Sequence, residues 1–170
     1  MDSAHFVGLV IASLACLTDL RARRIPNVLT FGAALAGLLY HVVGGGIEGL
    51  GYAALGWLVG ALIFGLPFAL GGLGDGDVKL LAALGAWLGP ADVLWLSLYT
   101  GAAGGAMALV LSTIYGYLGT AIGNINRLLN HWRVAGIEAE PGSPLEHSVG
   151  PRLAYAFPIL AGMVATTWLR

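Results

Sequence analysis

The chain has 170 residues, of which 58% are hydrophobic and only 10% are charged, and its formal net charge is −1. A soluble domain carries roughly 25% charged residues, so this composition excludes a soluble globular enzyme, a disordered chain and a secreted disulfide scaffold. It indicates an integral membrane protein, and the near-neutral charge gives no reason to expect a nucleic-acid partner.

The N-terminal residues, MDSAH, lack the positively charged segment that opens a cleavable signal peptide. We therefore expect the first apolar segment to remain in the protein as a membrane span. The single cysteine, Cys16, lies inside this segment and can form neither an intramolecular disulfide nor a multi-thiolate zinc site. The four histidines are scattered along the chain, so we expect no metal site.

Apolar runs between the charged residues predict an all-α fold, because a helix needs about 20 residues to cross the hydrocarbon core. One membrane domain, residues 1–170, is expected. It contains six predicted spans, at about 3–18, 28–43, 47–70, 78–89, 91–122 and 153–169. The run 78–89 is short for a span, and a re-entrant segment there would leave five spans.

The basic residues favour six spans with both termini outside, because positive charge collects on the cytoplasmic side of membrane proteins. This arrangement places only Arg170 outside. The cytoplasmic side then receives Arg21, Arg23, Arg24, Lys79, Arg127, Arg133 and Arg152. Segment 123–152 becomes a cytoplasmic loop, and the arginines after the first span are expected to contact lipid head groups.

Three carboxylates lie against span ends on this same side. Asp19 closes the first span, and Asp75 and Asp77 precede the fourth. A carboxylate at membrane depth costs about 2.5–3.5 kcal/mol on insertion scales, so each such residue is expected to have a specific function or partner. Two adjacent carboxylates share a proton, which allows one to act as a general base on water while the other polarises a carbonyl.

Structural roles for the same residues remain open at this point. Asp19 could pair with Arg23 four residues later, and Asp75 or Asp77 could cap the fourth helix. Lys79 could neutralise a carboxylate of the site, bind an anionic substrate group or extend to the membrane interface.

Three segments of the chain resemble the type IV prepilin leader peptidases. Residues 74–89, GDGDVKLLAALGAWLG, are similar to the GxGD segment of that family. Residues 19–30, DLRARRIPNVLT, resemble the segment that carries its first catalytic aspartate, and residues 155–162, YAFPILAG, resemble its last helix. The order of the segments also agrees, so the resemblance extends over essentially the whole chain.

The resemblance implies a six-helix bundle of the GxGD aspartyl protease type in the bacterial cytoplasmic (inner) membrane. It would cleave the leader from prepilin or pseudopilin precursors at the cytoplasmic face, without a cofactor. Asp19 and Asp77 would be the catalytic pair. Asp75 is an alternative because residues 72–75 also spell GxGD, and substrate-positioning roles fall to Gly74, Gly76 and Lys79.

The resemblance is to the short, peptidase-only branch that serves Flp/Tad pili. Larger members of the family carry paired cysteines in a region associated with N-methylation, and this sequence has one cysteine. We therefore expect no methyltransferase activity. The oligomeric state and the identity of the prepilin stay open.

Two other functions remain as alternatives. A presenilin-like intramembrane aspartyl protease would use the GLGD at residues 72–75, although Thr18 stands where such proteases carry a tyrosine. A small proton-coupled transporter would use the aspartates as a proton relay, but it would be expected to place them near the bilayer midplane.

Overall fold

The computed structural model describes residues 2–70, 72–116 and 154–170, together with residues 118–120, 122, 123, 126, 130 and 133. Most of the predicted loop 123–152 lies outside these residues. The described part of the chain is helical and contains no strand. Its long helices are α1 (Ser3–Ala22), α2 (Asn27–Ala69), α3 (Asp75–Ile114) and α4 (Ala156–Leu169). Helices α1, α2 and α3 are long and apolar enough to cross a membrane, and α4 is a shorter apolar helix.

The helix ends differ from the ends of the apolar runs. Helix α1 continues past residue 18 to Ala22, where Arg23 takes a left-handed φ of 51° and donates its N–H to the Asp19 carbonyl. Helix α3 ends at Ile114, before the predicted limit of 122, because a turn follows in which Gly116 has a φ of 71°. Hydropathy follows the side chains, whereas a helix ends where its backbone hydrogen bonds end.

Helix α2 reverses its direction at Gly46, which has φ 58° and ψ −136°. Gly49 packs directly against the carbonyl group of His41, eight residues earlier. In a continuous helix, residues eight apart are separated by about 12 Å along the axis. The chain therefore folds back here, and residues 27–45 and 47–69 run in opposite directions.

Helix α3 contains a second reversal at Gly89, which has φ 80° and ψ 177°. Gly85 approaches the side chain of Val93, again eight residues away. Pro90 follows the glycine, and a proline cannot donate the backbone hydrogen bond that a continuous helix would need there. The Gly89-Pro90 pair therefore separates two antiparallel helical segments.

The first segment of α3 forms the centre of the bundle. Every residue from Leu80 to Gly89 is buried, which is typical of a helix surrounded on all sides. Gly56 of α2 contacts the backbone of Gly85, and Gly60 contacts the backbone of Leu81. Small residues permit this close approach between helices.

The directions of the helices bring several helix ends together. Near the start of α1, Gly8 packs against Leu84 and Met163, and the Ser3 hydroxyl lies 2.6 Å from the Tyr40 hydroxyl. Near the end of α1, Asp19 faces the start of α4. One end of the bundle therefore contains the end of α1 and the starts of α2, α3 and α4.

Candidate active site

A cavity of about 520 Å³ opens at this end of the bundle. The end of α1 and the segment that follows it form one side, and the start of α3 forms the other. The lining residues are Thr18, Asp19, Arg21, Ala22, Arg23, Arg24, Ile25, Pro26, Asn27, Gly74, Asp75, Gly76 and Asp77. The cavity therefore receives side chains from both segments that the sequence singled out.

Asp19 lies in the last turn of α1 and is 9% exposed. Its Oδ2 accepts a long hydrogen bond of 3.5 Å from the backbone N–H of Ala156. Ala156 is the first residue of α4, where N–H groups have no intrahelical acceptor and favour a negative charge. The carboxylate is thus held between the end of one helix and the start of another.

Asp77 is the third residue of α3 and is also 9% exposed. Its Oδ2 accepts a 3.3 Å hydrogen bond from the backbone N–H of Gly74, the residue that precedes the helix. A carboxylate at this position commonly satisfies the free amide at a helix start. The same bond restrains the side chain at the cavity wall.

The Asp19 and Asp77 carboxylates are close enough for their charges to repel each other. Both are largely removed from water, so ionising the second carboxylate beside the first is unfavourable. Burial and the negative charge of Asp19 both favour the protonated form of Asp77. A carboxyl group that keeps its proton beside an ionised one can serve as a general acid while the other serves as a general base.

Asp75 has a different environment, although it also borders the cavity. Its side chain is 70% exposed and forms a 2.8 Å salt bridge with Lys79 on the next turn of α3. Successive helical residues are rotated by about 100°, so Asp75 and Asp77 point to nearly opposite faces of α3. The structure therefore brings Asp19 together with Asp77 and turns Asp75 outward.

Lys79 and the two glycines of the GDGD segment each make contacts with other residues of this chain. The Lys79 Nζ donates to Asp75 and, at 3.1 Å, to the Asn27 Oδ1 on α2. A side chain on Gly76 would meet Ile25, so the glycine lets the segment after α1 approach α3. Gly74 supplies the N–H that binds Asp77.

Three residues near the site received no functional role from the sequence: Asn27, Tyr155 and Ala156. Tyr155 precedes α4, and burial together with the Asp77 charge raises the pKa of its phenol. Both Asn27 and the 155–156 pair lie inside segments that resemble the peptidase family, which is the signal that could have identified them. Their contacts with Asp19, Asp77 and Lys79 depend on how the helices pack.

Comparison with known proteins identifies the family of the chain. The chain matches the type IV leader peptidase family over residues 6–122, which include Asp19, Asp75 and Asp77. It is 34% identical over 159 residues to a prepilin leader peptidase/N-methyltransferase of Aeromonas salmonicida (strain A449), covering 88% of this chain and 44% of the relative.

A second relative of the same name comes from Burkholderia pseudomallei (strain K96243). It is 37% identical over 111 residues, covering 61% of this chain and 36% of the relative. The chain thus spans less than half the length of these curated relatives. No solved structure matches the chain.

Proposed function

This chain belongs to the type IV leader peptidase family, and from that premise we propose that it is an aspartic endopeptidase that removes the leader from prepilin-like precursors. The observation that carries the proposal is the burial of Asp19 and Asp77, each 9% exposed, at one shared cavity. Family membership supports the class of reaction, and the paired carboxylates supply a means to perform it.

Peptide hydrolysis follows from the singly protonated pair. The ionised carboxylate takes a proton from water, and the water oxygen bonds to the scissile carbonyl carbon. The other carboxyl group donates its proton to the carbonyl oxygen, which gives a neutral tetrahedral diol. Transfer of a proton to the leaving nitrogen then accompanies cleavage of the C–N bond, and the products are a carboxylic acid and a new N-terminal amine.

The proposed membrane arrangement has six spans, because α2 and α3 each reverse direction at a glycine. Together with α1 and α4, these segments cross the bilayer with the cavity end on the cytoplasmic side. Arg21, Arg23 and Arg24 line that end, as expected for the cytoplasmic side of a membrane protein. The substrate would therefore be cut at the inner surface of the bacterial inner membrane.

We further propose that the chain acts as a peptidase alone and serves pili of the Flp/Tad type. The support is that these 170 residues contain one cysteine, Cys16, which is buried within α1. The relatives carry both activities in their names. Mass spectrometry of the cleaved product distinguishes the two cases, because methylation adds mass to the new N-terminus.

The exposed Asp75 weakens the presenilin-like alternative, which needs the GLGD aspartate as a catalytic group. Its side chain is 70% exposed and bound to Lys79, whereas catalytic carboxylates of this kind work in buried pairs. The transporter alternative is also disfavoured, because Asp19, Asp75 and Asp77 all lie at one end of the bundle and not at its middle.

The test is cleavage of a purified prepilin precursor by the full chain reconstituted in phospholipid vesicles, followed by mass spectrometry. We expect Asp19→Asn and Asp77→Asn each to reduce cleavage by roughly a thousandfold, because each removes one partner of the acid–base pair. Asp75→Asn is the matched control and should retain cleavage. Full activity of the Asp77→Asn protein, or no cleavage by the unaltered chain, would contradict the proposal.

A further inference from the structure

The ammonium group of Lys79 is shared between two helices. It donates to Asp75 Oδ2 at 2.8 Å on its own helix and to Asn27 Oδ1 at 3.1 Å on α2. It also lies 5.8 Å from the centre of the Phe31 ring, one turn further along α2. An ammonium group has three N–H donors. Two of them make hydrogen bonds, and the charge also faces an aromatic ring.

The two hydrogen-bond partners both line the cavity, while Lys79 does not. Asn27 is the first residue of α2, and Asp75 is the first residue of α3. Lys79 therefore joins the starts of two helices from behind the cavity wall. A change at Lys79 would release Asn27 and Asp75 together.

The salt bridge between Lys79 and Asp75 also affects the net charge beside the Asp19–Asp77 pair. Asp75 is the third carboxylate beside the cavity, and its negative charge acts on Asp77 in the same direction as that of Asp19. Lys79 forms a 2.8 Å salt bridge with this carboxylate and so offsets its charge. Among the described residues, the other ionisable groups around the pair include Cys16 and Arg21 on α1, Arg23 and Arg24 after α1, and Tyr155 before α4.

We propose that Lys79 is a positioning residue that tethers Asn27 and neutralises Asp75, so that Asp75 adds no net charge beside the Asp19–Asp77 pair. The inference rests on the proposed peptidase function. It gives Lys79 a structural and electrostatic role in place of direct substrate binding. It also assigns a role to Asn27, which shapes the cavity at the start of α2.

The charge component predicts shifts of opposite sign in the pH profile of kcat/KM. Lys79→Met leaves Asp75 uncompensated, and the extra negative charge holds the shared proton more tightly, so the profile moves to higher pH. Asp75→Asn leaves Lys79 uncompensated, so the profile moves to lower pH. Each shift should be about 0.3 pH units, because both side chains are partly solvated.

The double variant Lys79→Met/Asp75→Asn separates charge from packing. It removes both charges, so the profile should return to the position of the unaltered chain. The tether to Asn27 is still lost in this variant. Lys79→Arg keeps the charge and should leave the profile in place.

The tether component is tested by Asn27→Ala, which changes no charge. We expect kcat/KM to fall by about threefold, as for the loss of one hydrogen bond, with the pH profile unmoved. These variants are assayed as full chains in phospholipid vesicles with a purified prepilin precursor. Identical pH profiles for Lys79→Met, Asp75→Asn and the double variant would overturn the charge component.

The tether can also be tested by a stability measurement that does not depend on enzymatic activity. The unfolding midpoints of Lys79→Met, Asn27→Ala and the double variant Lys79→Met/Asn27→Ala form a double-mutant cycle in detergent. We expect the double variant to be more stable than the sum of the two single effects predicts. Strict additivity would overturn the tether. An unaltered chain that cleaves no prepilin would instead refute the peptidase function, and the cycle would still decide whether Lys79 joins the two helices.

Discussion

Asp19 and Ala156 lie 137 positions apart, and the backbone N–H of Ala156 donates to the Asp19 carboxylate at 3.5 Å. The donor belongs to the first residue of α4, so the position of one proposed catalytic group depends on where that helix begins. Tyr155, the preceding residue, packs against Phe64 with ring centres 5.9 Å apart. Its ring also contacts Gly104. The packing of α4 on α2 and α3 therefore sets part of the active-site geometry.

The contact between Gly104 and Tyr155 provides a way to disturb this geometry from a distance. A side chain at position 104 would meet the Tyr155 hydroxyl and ring, so we expect Gly104→Val to displace the start of α4 from Asp19. Cleavage should fall by roughly tenfold to a hundredfold, because small displacements of reacting groups are costly. The measurement is kcat/KM in vesicles.

The neighbouring Gly105 is the matched control, since no atom lies within 4 Å of a side chain placed there. Gly105→Val carries the same change in helix propensity and should retain most of the activity. Equal losses for the two variants would show that helix propensity, and not the position of Tyr155, causes the effect.

Close backbone packing makes Gly56 sensitive to the smallest side chain. A methyl group there would collide with the carbonyl oxygen of Gly85 and the backbone of Gly89, and neither can rotate away. Gly56→Ala should lower the free energy of unfolding by about 1–3 kcal/mol. Denaturation in detergent, followed by circular dichroism, measures the effect. Gly51→Ala, in open space on the same helix, should be neutral or stabilising.

A buried tryptophan links the first segment of α3, at the centre of the bundle, to α2. The Trp87 Nε1–H donates to the Ala33 carbonyl at 2.8 Å, and the side chain is 8% exposed. Trp87→Phe keeps an aromatic ring but removes this donor, so we expect a loss of about 1–2 kcal/mol in the free energy of unfolding. Trp95→Phe, at a position 39% exposed, should change stability much less. Similar losses in both variants would contradict the role of the hydrogen bond.

The proposed mechanism predicts a bell-shaped dependence of kcat/KM on pH. At low pH both carboxyl groups are protonated and no base is present, and at high pH both are ionised and no acid is present. The Tyr155 phenol has a raised pKa and so stays protonated while the carboxyl groups titrate. The proposal therefore assigns the decline toward high pH to loss of the proton from Asp77, whose protonated form is favoured by burial and by the Asp19 charge. A rate that stays constant from about pH 4 to about pH 9 would contradict the shared proton.

Several features could be predicted from single positions or short patterns. Low charge and long apolar runs indicated a helical membrane protein, and α1, α2 and α3 have the length and composition to span a membrane. The boundary between the predicted spans 78–89 and 91–122 coincides with the reversal at Gly89. These predictions succeed because hydropathy and backbone freedom are local properties.

The contacts of Asp92 could not be predicted from the local sequence. Asp92 lies in α3, 3.2 Å from Arg170 and 3.6 Å from His5. Its partners come from the two ends of the described chain. Nothing in the residues around Asp92 indicates them, because the contacts require α1 and α4 to pack beside the reversal at Gly89.

The sequence by itself determined the class of the protein, and the positions of three carboxylates at predicted span ends, together with the family resemblance, marked them as candidates. Tertiary structure alone decided their environments: Asp19 and Asp77 are buried at one cavity, while Asp75 is exposed and bound to Lys79. Composition and short motifs record which groups are present. Their solvation and their neighbours depend on helix directions and rotations, which are fixed by packing between residues far apart in the chain.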